Sequence, residues 1–367
     1  MDYQRKIQAI LDHAVETGME CGCQAALYIN GELAVNAYAG WTDWTRSKKV
    51  DENTVFPVYS TSKPFSATVI HRLVEEGKIS YDTRIADFWP EFGCNGKEDM
   101  RVWHVLTYRS ALARMPKCPL EDELDFELMT RKMAAAAPEY RYGTKQEYHS
   151  LTYGWLTGGI ACHVLNRWDY PQIFREYVGG PAGMDRFFFG ISPDEDNAAT
   201  LVLKPGEEPL SRKLMDRMNT PAFRQSCNPA TCAMSSALSL ARHYAAIDTG
   251  KIMSKKTLDY AVSTRWRAAD DPFKMVKGNW VIFGLGYTLY GPVENIAQTF
   301  GHGGIGGAEA LLDRKTHYAI AITRNRFAYP CIMEPVYAAA DFKSRDWPDS
   351  GEEAPDVLTS LNLKRNL

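Results

Sequence analysis

Phe56-Pro-Val-Tyr-Ser-Thr-Ser-Lys63 decides how the rest of the chain is read. Ser60 and Lys63 stand three residues apart, and an apolar stripe at helical spacing, Phe65, Val69, Leu73 and Val74, follows at once. Pro64 suits a first turn, where its missing N–H costs nothing, and Gly77 suits a helix stop. The spacing predicts a helix that starts near Ser60 and carries Ser60 and Lys63 on one face. A serine hydroxyl alone is a weak nucleophile. An amine beside it can take its proton or keep a neighbouring base ionised, and a helix N-terminus favours negative charge developing nearby. The same four residues also read as an N-capping serine followed by a solvated lysine, so the decision falls to the rest of the chain.

The chain has 367 residues, 45% of them hydrophobic, enough for a large core and two to three domain-sized units. A net charge of −3 without a basic stripe argues against nucleic acid as a partner. No apolar run is long enough to span a membrane. The first eighteen residues lack a signal core and read as an amphipathic helix through Ile7, Ile10, Leu11, Ala14 and Val15. The eight cysteines are scattered and unmatched with histidine at zinc spacing, so the expectation is no metal, reduced and mostly buried thiols, and a cytoplasmic location.

Asn30-Gly31 between Gln24–Ile29 and Glu32–Tyr38 is a hairpin signal, and 40–53 is expected to hold a third strand and a loop. From Ile79 to about Trp280 the reading is helical: Trp103–Leu106, Glu123–Ala135, Tyr153–Leu165, Tyr170–Tyr177, Ser235–Ile247 and Lys255–Arg267. Residues 188–230 read as an irregular connection. Strand signals return at Phe283–Tyr290, Ala308–Leu312 and His317–Arg324, with a closing helix over Pro335–Phe342. The expected architecture is α+β: an antiparallel sheet built from 1–80 and 281–343, flanked by helices, with a helical domain over 81–280 inserted and a peripheral tail over 344–367.

Two further stretches carry chemistry. Tyr148-His149-Ser150 precedes an apolar helix, and a tyrosine can act as a general base if a cation such as Lys63 lowers its pKa. Phe300-Gly-His-Gly-Gly-Ile-Gly-Gly307 has five glycines in eight residues, which lets backbone approach a ligand or forms a tight turn. It is no phosphate loop, because no Gly-Lys-Ser/Thr follows.

In this order, Ser60-x-x-Lys63, Tyr148-x-Ser150 and His302-Gly-Gly304 resemble the penicillin-recognising serine hydrolase superfamily: class C β-lactamases, D-Ala-D-Ala carboxypeptidases and family VIII carboxylesterases. Leu106-Thr-Tyr-Arg-Ser-Ala-Leu112, the helix from Ser235 and the Gly284-Leu-Gly-Tyr287 strand extend the similarity over roughly residues 1–340. The resemblance implies a β-lactamase-like fold, Ser60 as acyl-accepting nucleophile, and Lys63 with Tyr148 as its base and later the activator of water. It places the oxyanion hole at the N–H groups of Ser60 and Ile305, and substrate contacts at Ser150, His302, Gly303 and Gly304. No cofactor is implied.

Departures from the family pattern narrow the substrate. Lys-Thr-Gly is replaced by His302-Gly-Gly304, and Tyr-x-Asn by Tyr148-x-Ser150, which removes handles for an anionic, peptide-like substrate. The sequence is closest to the esterase branch. The expected activity is therefore carboxylic ester hydrolysis of a small molecule, ahead of amide or D-amino-acid peptide hydrolysis, acyl transfer, or a non-catalytic scaffold role. Assembly into a homo-oligomer is left open. Trp41, Trp44, Tyr59, Trp155 and Trp280 either line an acyl pocket or belong to the core. Tyr108-Arg109 replaces the family's His-Thr without an evident reason.

Overall fold

The computed structural model describes residues 2–263, 274–276, 279–291 and 297–342. Eight antiparallel strands form one sheet in the order β2-β1-β11-β10-β9-β8-β7-β6. The chain's N-terminal part supplies β1 (Gly22–Ile29) and β2 (Glu32–Gly40). The rest come from β6 (Lys274–Val276), β7 (Asn279–Phe283), β8 (Thr288–Gly291), β9 (Thr299–Gly303), β10 (Glu309–Asp313) and β11 (Tyr318–Arg324). The two parts of the chain meet where β1 pairs with β11 from Cys23↔Arg324 to Ile29↔Tyr318. Asn30 and Gly31 have φ of 52° and 81°, the conformation a two-residue hairpin needs.

Period-two alternation explains how one sheet serves two cores. Ala25 and Leu27 of β1 and Ile320 and Ile322 of β11 face one side, with Ile7 and Leu11 of the first helix (Tyr3–Glu16) and Val336 of the last (Met333–Ala339). Ala26, Ala319 and Ala321 face the other, with Leu240 and Tyr244 of the helix Ala237–Asp248. The alanines are small enough to let that helix lie close to the sheet. The first helix also closes the sheet's edge. The Gln4 and Gln8 amides each exchange hydrogen bonds with the backbone of β2, at Asn36 and Tyr38. Four residues of helix and two of strand both advance roughly 6–7 Å, so the two amides match the strand's outward-facing groups and block a second chain from adding there.

A second, three-stranded sheet was not anticipated. It joins β3 (Phe56–Pro57), β5 (Ala233–Ser235) and β4 (Phe187–Phe189) in the order β3-β5-β4. Three strands of two or three residues carry too little periodicity to be read, and β5 claims Ser235, which had been placed in the following helix. Residues 40–53 add no strand to the main sheet; Trp41 and Lys49 form only an isolated bridge. Gly284–Tyr287 turns between β7 and β8 rather than continuing a strand, with Gly286 at φ 85°. Trp155 and Tyr59 are core residues, 1% and 2% exposed, while the Trp280 side chain and the tail from 344 lie outside the described residues. All eight cysteines are free; four are buried and four half-buried, fewer buried than expected. Among the described residues no helix is long and apolar enough to cross a membrane.

Five of the eight histidines, 71, 104, 149, 243 and 302, are buried. Burial pushes His71, His104 and His149 down to about 4 and His243 and His302 to about 3. Their bonds suit neutral rings. His71, for example, donates from Nε2 to the Leu285 carbonyl at 3.0 Å and accepts the Tyr81 hydroxyl at Nδ1 at 2.8 Å. In the unfolded chain each titrates near about 6.5. The stability they contribute is present above that value and is lost as pH falls toward 4, because the unfolded state takes up the protons first. Each histidine contributes a slope of about 1.4 kcal/mol per pH unit in that window. Urea unfolding should show stability falling steeply from pH 6.5 to 4.5; a flat profile would mean that these rings take up protons in the folded state.

Candidate active site

The helix Lys63–Glu75 is entered through a 3₁₀ turn, Tyr59–Ser62, with Pro64 in the first helical turn and Gly77 just beyond the end at φ 69°. The small sheet holds the entry: the Val58 N–H donates to the Ala233 carbonyl at 3.1 Å, directly after β3. Tyr59 sits at φ 47°, a left-handed conformation that costs energy for a bulky residue. Its ring is fixed by stacking on Phe327 at 5.8 Å. The turn presents Ser60 at the surface of the site, half-buried, with Lys63 beneath it and 0% exposed.

Lys63 Nζ lies 2.9 Å from Ser60 Oγ, 2.8 Å from the Ser150 carbonyl and 3.0 Å from the Ala230 carbonyl. Burial drives the amine's pKa well below the usual lysine value, and among the described residues no carboxylate offsets it. A neutral amine has two N–H bonds and one lone pair. Once neutral, Lys63 can donate to the two carbonyls and keep the lone pair for the Ser60 hydroxyl.

Tyr148 lies in the loop before the helix Thr152–Leu165, its ring centroid 4.9 Å from Lys63 Nζ. Its hydroxyl is buried and has no hydrogen-bond partner among the described residues. Burial raises its pKa above the ordinary tyrosine value. The Ser60 hydroxyl eases it back, although the two stand outside hydrogen-bond geometry. The expectation that Lys63 would lower the tyrosine's pKa is therefore corrected. Burial is the largest influence on the phenol and Lys63 is not among the groups that lower its pKa, so Tyr148 remains a phenol.

The third motif lies on β9 and the turn after it. His302 is 6% exposed, its ring centroid 5.8 Å from that of Tyr148. Nδ1–H donates to the Gly303 carbonyl at 2.6 Å, which leaves Nε2 as an unprotonated acceptor, buried and unpartnered among the described residues. Burial is the main cause of its low pKa, and the Lys63 ammonium, whenever protonated, adds to it.

The glycines serve the protein's own packing more than a ligand. A Cβ on Gly304 would stand 2.4 Å from the Val58 carbonyl and 2.9 Å from Thr61 Oγ1. One on Gly307 would stand 2.9 Å from the Arg324 side chain. Thr61 Oγ1 donates to the Ala308 carbonyl at 2.9 Å, and buried Arg324 donates to the Gly306 carbonyl at 2.5 Å while pairing with buried Glu20. The 304–308 turn is thus pressed onto the Ser60 turn. The Ile305 side chain packs with the Tyr59 cluster, and its N–H has no acceptor among the described residues. The Ser60 N–H opens its turn, where a helix has no preceding carbonyl to offer. Ser150 contributes its carbonyl to Lys63, and its side chain is half-buried.

Asn228–Thr231 was missed by sequence reading. It brings the Ala230 carbonyl to Lys63 and the Pro229 carbonyl to the Ser62 hydroxyl at 3.0 Å. These contacts are made by backbone, so no residue type signals them. Gly154 is what lets the segment in: a Cβ there would stand 2.0 Å from Asn228 Oδ1.

A lysine-backed serine on a helix entry, a tyrosine loop and a glycine turn beneath one antiparallel sheet define a serine-nucleophile site of the β-lactamase type. The chain belongs to the Beta-lactamase family, whose family model matches residues 7–337. It is 30% identical over 343 residues to the esterase/β-lactamase LipL of Mycobacterium tuberculosis, covering 85% of this chain and 79% of that one. Its fold is shared with a family VIII carboxylesterase (TM-score 0.80, 24% identity, 93% of this chain and 98% of that one). A penicillin-binding protein homologue from Caulobacter crescentus is similar too (TM-score 0.77, 26% identity, 92% and 98%).

The close approach of the two turns has a direct test. Gly304→Ala must push Val58 and with it Ser60. The rate at which Ser60 is labelled by a fluorophosphonate should fall on the order of 100-fold, the cost of roughly 1 Å of misplacement. An unchanged rate would show that Ser60 does not depend on this contact.

Proposed function

We propose that the chain hydrolyses carboxylic esters of small molecules through an acyl-enzyme on Ser60. The observation that supports this best is the Lys63 amine, buried without a counter-charge 2.9 Å from Ser60. The amine takes the Ser60 proton as Oγ attacks the ester carbonyl. Negative charge develops on the carbonyl oxygen and is met by the N–H groups of Ser60 and Ile305. When the tetrahedral intermediate collapses, the Tyr148 phenol gives its proton to the leaving alkoxide and regains one from the Lys63 ammonium. Water then attacks the acyl-enzyme, its proton passing to Lys63, and as the acyl–Oγ bond breaks that proton returns from the Lys63 ammonium to Ser60 Oγ, which restores both groups. The site is read as lying where the eight-stranded sheet, whose C-terminal part begins at Lys274 rather than at the expected 281, meets the mainly helical segment before it.

The ester reading rests on the third motif. His302 offers a neutral ring where a cation would hold a substrate carboxylate, and Ser150 is too short to grip an amide as asparagine would. Esters have better leaving groups than amides, so they need less binding energy directed at the transition state. The name of LipL, an esterase/β-lactamase, agrees with this reading and keeps a lactam or other amide as the second substrate class.

Three measurements test it. A fluorophosphonate should add mass at Ser60, and Ser60→Ala or Lys63→Ala should lower turnover by roughly 10⁴–10⁶. Near-wild-type turnover in Lys63→Ala would overturn the base assignment. Against p-nitrophenyl esters, nitrocefin and a D-alanyl anilide, kcat/KM should be highest on acetate to butyrate esters. An anilide turned over faster than every ester would reverse the ranking.

The pH profile carries its own sign. Activity rises as Lys63 loses its proton, with a midpoint well below the usual lysine value, and falls only when Tyr148 ionises above its ordinary value. His302 and His149 titrate at about 3 and about 4, outside the neutral range. An acidic limb that shifts in His302→Asn would assign it to the imidazole instead.

A further inference from the structure

Tyr108 departs from the histidine that the family resemblance leads one to expect, and its surroundings are aromatic. Its side chain is fully buried, and its φ of 60° is left-handed, a costly conformation for a bulky residue that Asn, Asp and Gly tolerate best. Its ring lies 5.4 Å from the Tyr148 ring. The Tyr108 ring is itself held by Tyr153 at 4.7 Å and by Phe283 at 4.5 Å. Its hydroxyl has no hydrogen-bond partner among the described residues, so the contact is made by the ring face.

The same short segment holds the second motif at three further points. The Thr107 carbonyl accepts from the Gln146 amide at 2.9 Å, and the Tyr108 carbonyl accepts from the Glu147 N–H at 2.9 Å. The Ser110 hydroxyl donates to His149 Nε2 at 2.6 Å. That direction follows from the other ring nitrogen, whose N–H donates to the Glu147 carbonyl at 2.5 Å. Residues on both sides of Tyr148 are therefore tied to 107–110 by hydrogen bonds. The Tyr148 hydroxyl has none, so the direction in which it points is set by what its ring packs on.

We propose that Tyr108 is a positioning residue: its ring, fixed in a left-handed turn, aims the Tyr148 hydroxyl at Ser60. This rests on the reading of Tyr148 as the group that moves a proton between Lys63 and the leaving alkoxide. Tyr108 touches no reacting atom and acts only through Tyr148. Its loss is felt in kcat, because the misaimed group matters in the transition state and not in substrate binding.

The test is a double-mutant cycle on p-nitrophenyl butyrate hydrolysis. Tyr108→Asn removes the ring and tolerates the backbone; Tyr108→Phe keeps the ring. Tyr108→Asn should lower kcat on the order of 100-fold with KM within about 2-fold. Tyr108→Phe should stay within about 3-fold of the parent in kcat, and in a Tyr148→Phe background Tyr108→Asn should cost less than about 3-fold, since no hydroxyl remains to be aimed. Where Tyr108→Asn yields no folded protein by near-ultraviolet circular dichroism, Tyr108→His, with a smaller ring, is put through the same cycle. Its loss should likewise vanish in the Tyr148→Phe background. Equal losses in both backgrounds would mark a merely structural residue and overturn the proposal. So would an undiminished kcat in Tyr108→Asn, or a Tyr108→Phe as slow as Tyr108→Asn. A Tyr148→Phe enzyme as fast as wild type would overturn the reading of Tyr148 together with this one, whereas a slow Tyr148→Phe with additive losses overturns this one alone.

Discussion

An amine sealed from water without a carboxylate beside it is the constraint on which the rest of the site depends. Burying an ammonium ion unpaired is so costly that the group gives up its proton instead. The Lys63 pKa is therefore pulled well below the usual lysine value by exclusion of water rather than by a charged neighbour. That exclusion takes several parts of the chain at once. The helix from Lys63 places the amine under Ser60, the Tyr148–Ser150 loop covers one side and Asn228–Thr231 covers another. Each cover also supplies a backbone carbonyl, so the amine's N–H bonds are satisfied without introducing charge.

The same preference for neutral polar groups runs through the surroundings. Tyr148 stays a phenol, and His302 and His149 stay neutral, each with Nδ1–H spent on a backbone carbonyl. At the third motif such a site offers an anionic substrate a neutral imidazole rather than a cation. In the proposed mechanism the electrostatic contribution comes from the N–H groups of Ser60 and Ile305, whose positions depend on how closely the 304–308 turn can approach the Ser60 turn. The glycines of that turn and the buried Arg324–Glu20 pair behind it are best understood as parts of this approach.

Strain is placed where the site needs it. Tyr59 and Tyr108 both adopt left-handed backbone, immediately before Ser60 and beside the second motif. Neither conformation would persist without the rings that lock it, Phe327 for Tyr59 and Tyr153 with Phe283 for Tyr108. The rigidity of the aromatic packing around the site is what keeps Ser60 and Tyr148 in register with each other.

Much of this was legible in the amino-acid order alone. The Asn30-Gly31 hairpin, the helix after Ser60 with its Pro64 start and Gly77 stop, the first amphipathic helix and the β10 and β11 strands each rest on contacts within a few residues, where periodicity and turn chemistry speak directly. The three motifs were legible for the same reason: each is a short run of side chains with its own chemistry. What the order of residues could not disclose depends on contacts far apart in the chain. The three-stranded sheet joins Phe56 to Ser235. The carbonyls on Lys63 come from residues 150 and 230, and any residue type has a carbonyl to give. The protonation states of Lys63, Tyr148 and His302 follow from burial, which is a property of the folded whole. Sequence by itself determined which groups could do chemistry and which segments would fold locally. The tertiary structure decided which of those groups are charged, because only packing decides which are kept from water.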